Sequence, residues 1–193
     1  LIKNFYPKIM VQQWLFETER LGIRHWQPDR DTDSAFAIYG DREVMHFIRE
    51  PDPDHRAVQK RLEEMTHKYQ GRNNGTGCWA IVEKTTQVAI GSILLVQLPD
   101  NQGQATEDYE IGWHLRGDRW GKGYATEAAK EILNYGFQSL QLPIIYAVVN
   151  PDNLASVRVT QRLGMIPMGL TQKYYGVELA LFGLENEKCD HPS

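Results

Sequence analysis

Cysteine is nearly absent from this chain: Cys78 and Cys189 are the only two among 193 residues, far apart and without Cys-x-x-Cys or Cys/His ligand spacing. That excludes a disulfide framework and implies no metal, leaving one packed thiol and one thiol in the tail. A long hydrophobic run is also missing. The longest apolar stretch, Val88 to Leu98, is interrupted by Gly91, Ser92 and Gln97 and is too short to cross a bilayer, so it reads as a strand. Positive charge is not in excess: 21 Lys and Arg stand against 25 Asp and Glu, interspersed, for a formal net charge of -4. Neither a basic stripe for nucleic acid nor a polybasic patch for a membrane follows from that balance. Leu1 to Val11 has lysines but no apolar h-region, so no secretory signal is read there and a cytoplasmic location is expected. The sequon Asn74-Gly75-Thr76 accordingly reads as a turn. No tract rich in Pro, Ser and Gly divides the chain and no internal repeat is evident, so one domain with one core is expected.

What is present is an alternation of strand-like and helix-like runs. Phe16 to Trp26 reads as an opening strand, Pro28 to Asp41 as a helix with Ala35, Ile38 and Tyr39 inward, and Pro53 to Gln70 as a second helix carrying Val58, Leu62 and Met65 on one face. Gly77 to Lys84 and Gln87 to Leu98, separated by Thr85-Thr86, form an antiparallel hairpin. Tyr109 to Leu115 is the next strand, followed by a glycine loop and a helix to about Leu140 with Ala125, Ala129, Ile132, Leu133 and Phe137 inward. Ile144 to Val149 is near-continuously apolar, as a strand covered on both faces would be. Asn153 caps a shorter helix ending at Gly164, and two last strands, Met165 to Thr171 and Val177 to Leu184, flank Tyr174-Tyr175-Gly176. The order predicts an α/β (α+β) domain: a mixed, mostly antiparallel sheet with helices on both faces.

The loop between strand and helix, Trp120-Gly121-Lys122-Gly123-Tyr124-Ala125-Thr126-Glu127-Ala128, is the most informative stretch. Two glycines at the mouth of a helix suggest a phosphate cradle, because the first helical turn has unpaired N–H groups and a positive dipole end. A Walker loop is excluded: Gly117 precedes Gly121 by only four positions, and Gly123 stands where a hydroxyl residue should hold magnesium. The dinucleotide fingerprint fails at Thr126, where a third small residue is required. Trp120 to Ala125 follows the frame (Gln/Arg)-x-x-Gly-x-(Gly/Ala) except at its first position, where Trp120 departs from it, and the stretch resembles the acyl-CoA pyrophosphate loop of the GNAT N-acetyltransferases. Tryptophan in first position is what the RimJ/RimL branch looks like. Asn150-Pro151-Asp152-Asn153-Leu154-Ala155-Ser156, then Arg162-Leu163-Gly164-Met165, resembles a second segment of that branch, as do Phe16 to Leu21 and Glu110 to Trp113. The resemblance implies a single-domain GNAT fold over residues 16–185, with 1–15 as an N-terminal extension and 186–193 as a tail.

By that resemblance the reaction is acetyl transfer from acetyl-CoA to an amine, by direct attack in a ternary complex without a covalent enzyme intermediate. Such positioning is worth ~7 to 11 kcal/mol of barrier. A thiol pKa near ~8.5 lets CoA leave without prior protonation, and an α-amine at about 7.7 to 8.0 needs less help from a base than a lysine-like amine near ~10.4. Glu110, on a strand face with Gly112 and His114, is the candidate base, with an ordinary strand carboxylate as its other reading. His114 is a weaker candidate for proton relay, and Gly112 a candidate bulge that splays two strands. Ser156 is proposed to donate to the leaving thiolate. Trp120, Gly121, Lys122, Gly123, Tyr124, Ala125, Thr126, Asn150, Asn153, Ser156 and Arg162 are the expected cofactor-binding positions. Thr160 stands where many superfamily members have a tyrosine proposed as general acid, so that role does not carry over. The other-class alternative is an acyl-CoA-binding regulatory module without turnover. Acceptor choice is expected to lie with the two N-terminal helical segments and the Tyr174-Tyr175 hairpin, where Asp29, Asp31 and Asp33 either attract a cationic amine or form an acidic helix start. The acceptor, a protein N-terminus or a small molecule, and the oligomeric state, a homodimer included, stay open.

Overall fold

The computed structural model describes residues 14–72 and 74–186; most of the N-terminal extension and nearly all of the tail, with Cys189, lie outside them. Eight strands form one sheet in the order β1-β2-β3-β4-β5-β6-β8-β7. The strands are β1 (Phe16–Glu17), β2 (Leu21–Arg24), β3 (Gly77–Glu83), β4 (Val88–Pro99), β5 (Ala105–Leu115), β6 (Ile144–Val149), β7 (Ile166–Thr171) and β8 (Leu179–Glu185). Helices α1 (Pro28–Tyr39), α2 (Arg42–Met45) and α3 (His55–Gln70) precede β3, α4 (Tyr124–Gln138) joins β5 to β6, and α5 (Leu154–Arg162) follows β6. Every neighbouring pair is antiparallel except β5 and β6. That pair is joined through α4, the kind of long crossover a parallel pair requires.

Strand alternation sorts the core into two layers. Trp79 and Ile81 of β3, Ile93 and Leu95 of β4 and Ile111 of β5 meet Ala125, Ala128, Ala129, Ile132 and Leu133 of α4 on one face. Ala80 and Val82 meet Ala35 and Ile38 of α1 and Val58 and Leu62 of α3 on the other. Asp41 caps α2 by accepting from Glu43 and Val44 N–H, and Asp54 caps α3 by accepting from Ala57 N–H. A buried bidentate pair, Arg24 to Asp31 at 2.5 and 2.8 Å, ties β2 to α1.

The opening run is not one strand but a hairpin: Thr18 N–H donates to Leu21 O at 2.9 Å, folding β1 back onto β2 around Glu19-Arg20. Alternation within a single run looks the same whether or not a tight turn interrupts it. Gly112 is not a bulge either, since it stands in register with Leu94; the irregularity of the β4–β5 ladder falls between Gln97 and Pro99. β6 is covered on one face, with Ile145, Ala147 and Val149 buried while Ile144, Tyr146 and Val148 are half-buried.

Candidate functional site

The glycine loop enters α4 through two left-handed residues, Gly121 at φ +74° and Gly123 at φ +80°. Gly123 is the N-cap and has no side chain to offer, so no side-chain hydrogen bond closes the helix start. The first intrahelical bond is Glu127 N–H to Gly123 O, which leaves the N–H groups of Gly123, Tyr124, Ala125 and Thr126 without helical acceptors. Thr126 adds a buried hydroxyl without a partner. Unpaired donors at the positive end of a helix of fifteen residues suit an anion.

The loop is held from outside. Trp120 Nε1 donates to Leu115 O at 2.9 Å, stapling it to the end of β5 while the indole stays 42% exposed. Tyr124 turns its hydroxyl away to Glu83 Oε1 at 2.6 Å. Arg20, at the β1–β2 turn, donates to Glu127 Oε2 at 2.6 Å and Lys122 O at 3.0 Å and lies over the Tyr124 ring. Thr18 Oγ1 donates to the other oxygen of Glu127 at 2.6 Å.

A cavity of about 760 Å³ opens at this helix end. One wall is the loop and the start of α4; another is Asn153, Ser156 and Arg162 of α5 and its cap; a third is the 42–48 segment after α1; its floor is Trp113 to Leu115. A smaller hollow of about 420 Å³ continues outward past Gly121, Gly123, Thr126, Lys130 and Arg162. Arg162 has no carboxylate partner among the described residues, so its charge is available to this space. The floor lies at a fork. Parallel strands β5 and β6 are in register only at Glu110 and Tyr146, and the cavity occupies the side toward the strand ends.

Glu110 sits at the closed end of that fork, 6% exposed. Burial pushes its carboxyl up to about 7, against the hydrogen bond it accepts from the Tyr175 hydroxyl. It is not on the cavity wall itself; Trp113, three residues along, stands about 10 Å away at strand rise. His114, on the same strand face, lines the cavity. Burial and the charge of Arg49 push its imidazole down to about 4, and its Nδ1 is sealed from solvent without a partner.

The expected positions thus come together unevenly. Trp120, Gly121, Gly123, Tyr124, Ala125, Thr126, Asn153, Ser156 and Arg162 share the cavity. Lys122 is outside both linings, contributing its carbonyl to Arg20. Asn150 is outside too: its side chain accepts from Asp152 N–H at 3.0 Å and shapes the turn before α5. Asn153 accepts from Ser156 N–H at 3.1 Å, and the Ser156 hydroxyl has no hydrogen bond among the described residues. Thr160 is fully buried and donates to Val157 O at 2.8 Å, so its hydroxyl is withdrawn from the site. Asp31 is spent on Arg24, Asp33 pairs with His55 at 3.4 Å, and Asp29 accepts from Gln59 at 3.4 Å; these acids knit α1 to its neighbours. Arg20, Glu83 and Glu127, which fix the loop, have no local sequence signal. Their contacts with the loop and the hairpin span from 41 to 109 residues.

Residues 20–166 match the family described as the acetyltransferase (GNAT) domain. The chain is 30% identical over 159 residues to the uncharacterized N-acetyltransferase p20 of Bacillus licheniformis, covering 81% of this chain and 85% of that protein. It is 31% identical over 156 residues to the uncharacterized N-acetyltransferase YnaD of Bacillus subtilis, with the same coverage of 81% and 85%. Among solved structures, a GNAT-family acetyltransferase from Bacillus anthracis superposes with a TM-score of 0.71 at 24% identity, covering 89% of this chain and 98% of that one. The ribosomal-protein-S5-alanine acetyltransferase of Vibrio fischeri does so with a TM-score of 0.68 at 20% identity, covering 91% and 98%. At these identities the structures establish a shared fold, while the domain match and the sequence relatives reach further. With a helix end built for an anion and a cavity leading from it to a forked pair of strands, this chain belongs to the GNAT acetyltransferase family and is an N-acetyltransferase.

Proposed function

We propose that this chain transfers the acetyl group of acetyl-CoA to a primary amine, either a protein N-terminal α-amine or the amine of a small molecule, by direct attack in a ternary complex, as a RimJ/RimL-like enzyme. The observation that carries the reading is the uncapped start of α4, with its two left-handed glycines, opening on a cavity that runs to the β5–β6 fork. The residues fit the cofactor: the N–H groups of Gly123 to Thr126 and the Thr126 hydroxyl are donors for its pyrophosphate, and Arg162 is a cation beside them. Acetyl-CoA supplies an activated thioester, whose thiol leaves without prior protonation. Glu110, at the closed end of the fork, is the base that takes up the proton of the attacking amine; a carboxyl that titrates near 7 is matched to that task at neutral pH. Ser156, with its hydroxyl uncommitted on the cavity wall, donates to the leaving sulfur.

The test is a calorimetric titration of acetyl-CoA, with ATP and NAD as controls, into the native chain and Gly123→Val. Selective micromolar-range binding is expected in the native chain. A Cβ at position 123 meets only Arg20 Nη2, at 3.5 Å, so space is available; φ +80° is what a branched residue resists, at roughly 1–2 kcal/mol. The variant therefore keeps its circular dichroism and loses at least about tenfold in affinity as the loop re-forms and its donors turn away. A folded native protein that binds no acetyl-CoA, or a variant that binds it equally well, overturns the reading. Release of free thiol on adding candidate amines then identifies the acceptor.

A further inference from the structure

Tyr175 occupies an unusual place. Its φ is +60° and that of Gly176 is +69°, two successive positive values of the kind primed turns require and for which Asn and Gly, not tyrosine, are suited. A non-glycine residue held there is strained and persists where its surroundings over-determine it. The surroundings are rigid. Asn101 donates to Gln172 O at 2.8 Å and accepts from Gly176 N–H at 2.9 Å, while Asp108 takes hydrogen bonds from Lys173 at 2.6 Å and Tyr174 at 2.7 Å. The β7–β8 loop is thereby anchored on both sides of Tyr175, and the tyrosine hydroxyl is delivered to Glu110, whose carboxylate has no other hydrogen-bond partner among the described residues.

We propose that Tyr175 is a positioning residue for Glu110: its hydroxyl fixes the orientation of the carboxylate and favours the ionised form that can accept a proton. The proposal rests on Glu110 as the base. Other groups facing Glu110 do not substitute for this contact. Tyr69 of α3 is near enough to feel both Glu110 and Tyr175, but burial pushes its hydroxyl up to about 12, and the Cys78 thiol of β3 likewise, so both stay neutral where Glu110 titrates. Tyr146 of β6 is its register partner, Val96 of β4 is apolar, and Asp108 on its own strand face is committed to Lys173 and Tyr174. Burial drives the carboxyl toward its neutral form and the Tyr175 hydrogen bond opposes this.

The experiment compares the native chain, Tyr175→Phe and Glu110→Gln, following the Glu110 carboxyl by carboxyl-carbon NMR, assigned by its loss in Glu110→Gln, and the pH profile of kcat/KM. Removing a donor from a buried carboxylate should raise its titration midpoint by about one pH unit, with the low-pH limb of the rate moving alongside it. Activity at pH 7 then falls several-fold more than activity well above the limb. An unmoved midpoint in folded Tyr175→Phe overturns the proposal, as does a rate loss equal at every pH with the midpoint in place, which is the mark of a loop anchor. A midpoint that moves while Glu110→Gln retains the limb supports the hold of Tyr175 on Glu110 and overturns only the assignment of Glu110 as base.

Discussion

Ser156 separates two roles that one residue at a helix start usually confounds. Its backbone N–H is what Asn153 caps, at 3.1 Å, whereas its hydroxyl stands uncommitted on the cavity wall. Ser156→Ala therefore keeps the cap and should leave the melting temperature nearly unchanged, while Asn153→Ala loses about 1 kcal/mol with the cap itself. A hydrogen bond to a charge is worth about 1.5–3 kcal/mol, so if Ser156 donates to the departing thiolate its removal lowers kcat by roughly 10- to 150-fold. Affinity for acetyl-CoA should change by less than about twofold, because that charge exists only as the thiol leaves. Steady-state kinetics and calorimetry on the same preparation check the split; an unchanged kcat removes Ser156 from the chemistry. The cap and the serine were both legible in sequence, since an Asn at a helix start and a residue three positions on are a local pattern. The Tyr175 to Glu110 contact spans 65 residues and depends on a positive φ at a tyrosine, which no local pattern announces.

The β1–β2 hairpin acts on α4 as a clamp, and the clamp is electrostatic as well as mechanical. Glu127 lies in the first turn of α4 and lines the outer hollow beside Gly121 and Gly123, so its charge opposes any phosphate placed there. Burial works against ionising it, yet the hydrogen bonds from Thr18 and Arg20 prevail and hold its carboxyl below the usual range. Arg20 is 43% exposed and Glu127 19%, so the pair itself adds at most about 1 kcal/mol to stability. Its larger effect concerns binding: Arg20→Ala leaves the Glu127 charge uncompensated at the cradle, with only the neutral donors of Thr18 and the residue-20 N–H, and should weaken acetyl-CoA about three- to tenfold, less so at high salt. Adding Glu127→Gln removes that repulsion and should recover most of the affinity, although the clamp stays broken. Calorimetry at low and high ionic strength decides; a double variant no better than Arg20→Ala makes the contact mechanical alone. Elements with a regular period were placed from sequence to within a few residues, α3 and α4 among them. The hairpin at Glu19-Arg20 looks like continuous strand in the sequence because Phe16, Leu21 and Ile23 are apolar on either side of the turn, so nothing local announces the clamp.

Two buried titratable groups on one face of β5 make opposite demands on the fold as a whole. Glu110 has a folded pKa of about 7, above its ordinary 4.5, so the native state binds the extra proton; its contribution to stability is fully present below 4.5 and is lost as pH rises toward 7. His114 has a folded pKa of about 4, below its ordinary 6.5, so the unfolded state binds the extra proton; its contribution is present above 6.5 and is lost as pH falls toward 4. Between about 4.5 and 6.5 the two slopes have opposite sign and similar size, each approaching ~1.4 kcal/mol per pH unit. Urea denaturation of the native chain should therefore give a nearly level stability across that window. Glu110→Gln leaves His114 unopposed, and stability should climb with pH by on the order of 2 kcal/mol from 4.5 to 6.5. His114→Asn leaves Glu110 unopposed, and stability should fall across the same window by a similar amount. At the acid end both variants also lose the contribution of Asp52, whose carboxyl Arg61 and Arg49 hold below its ordinary value against its burial, so that its stabilisation fades as pH falls through the ordinary carboxylate range. Were both variants as level as the native chain, neither group would be buried in the ionisation state that the fork requires, and Glu110 would lose the perturbed carboxyl that suits it to accept a proton near neutral pH.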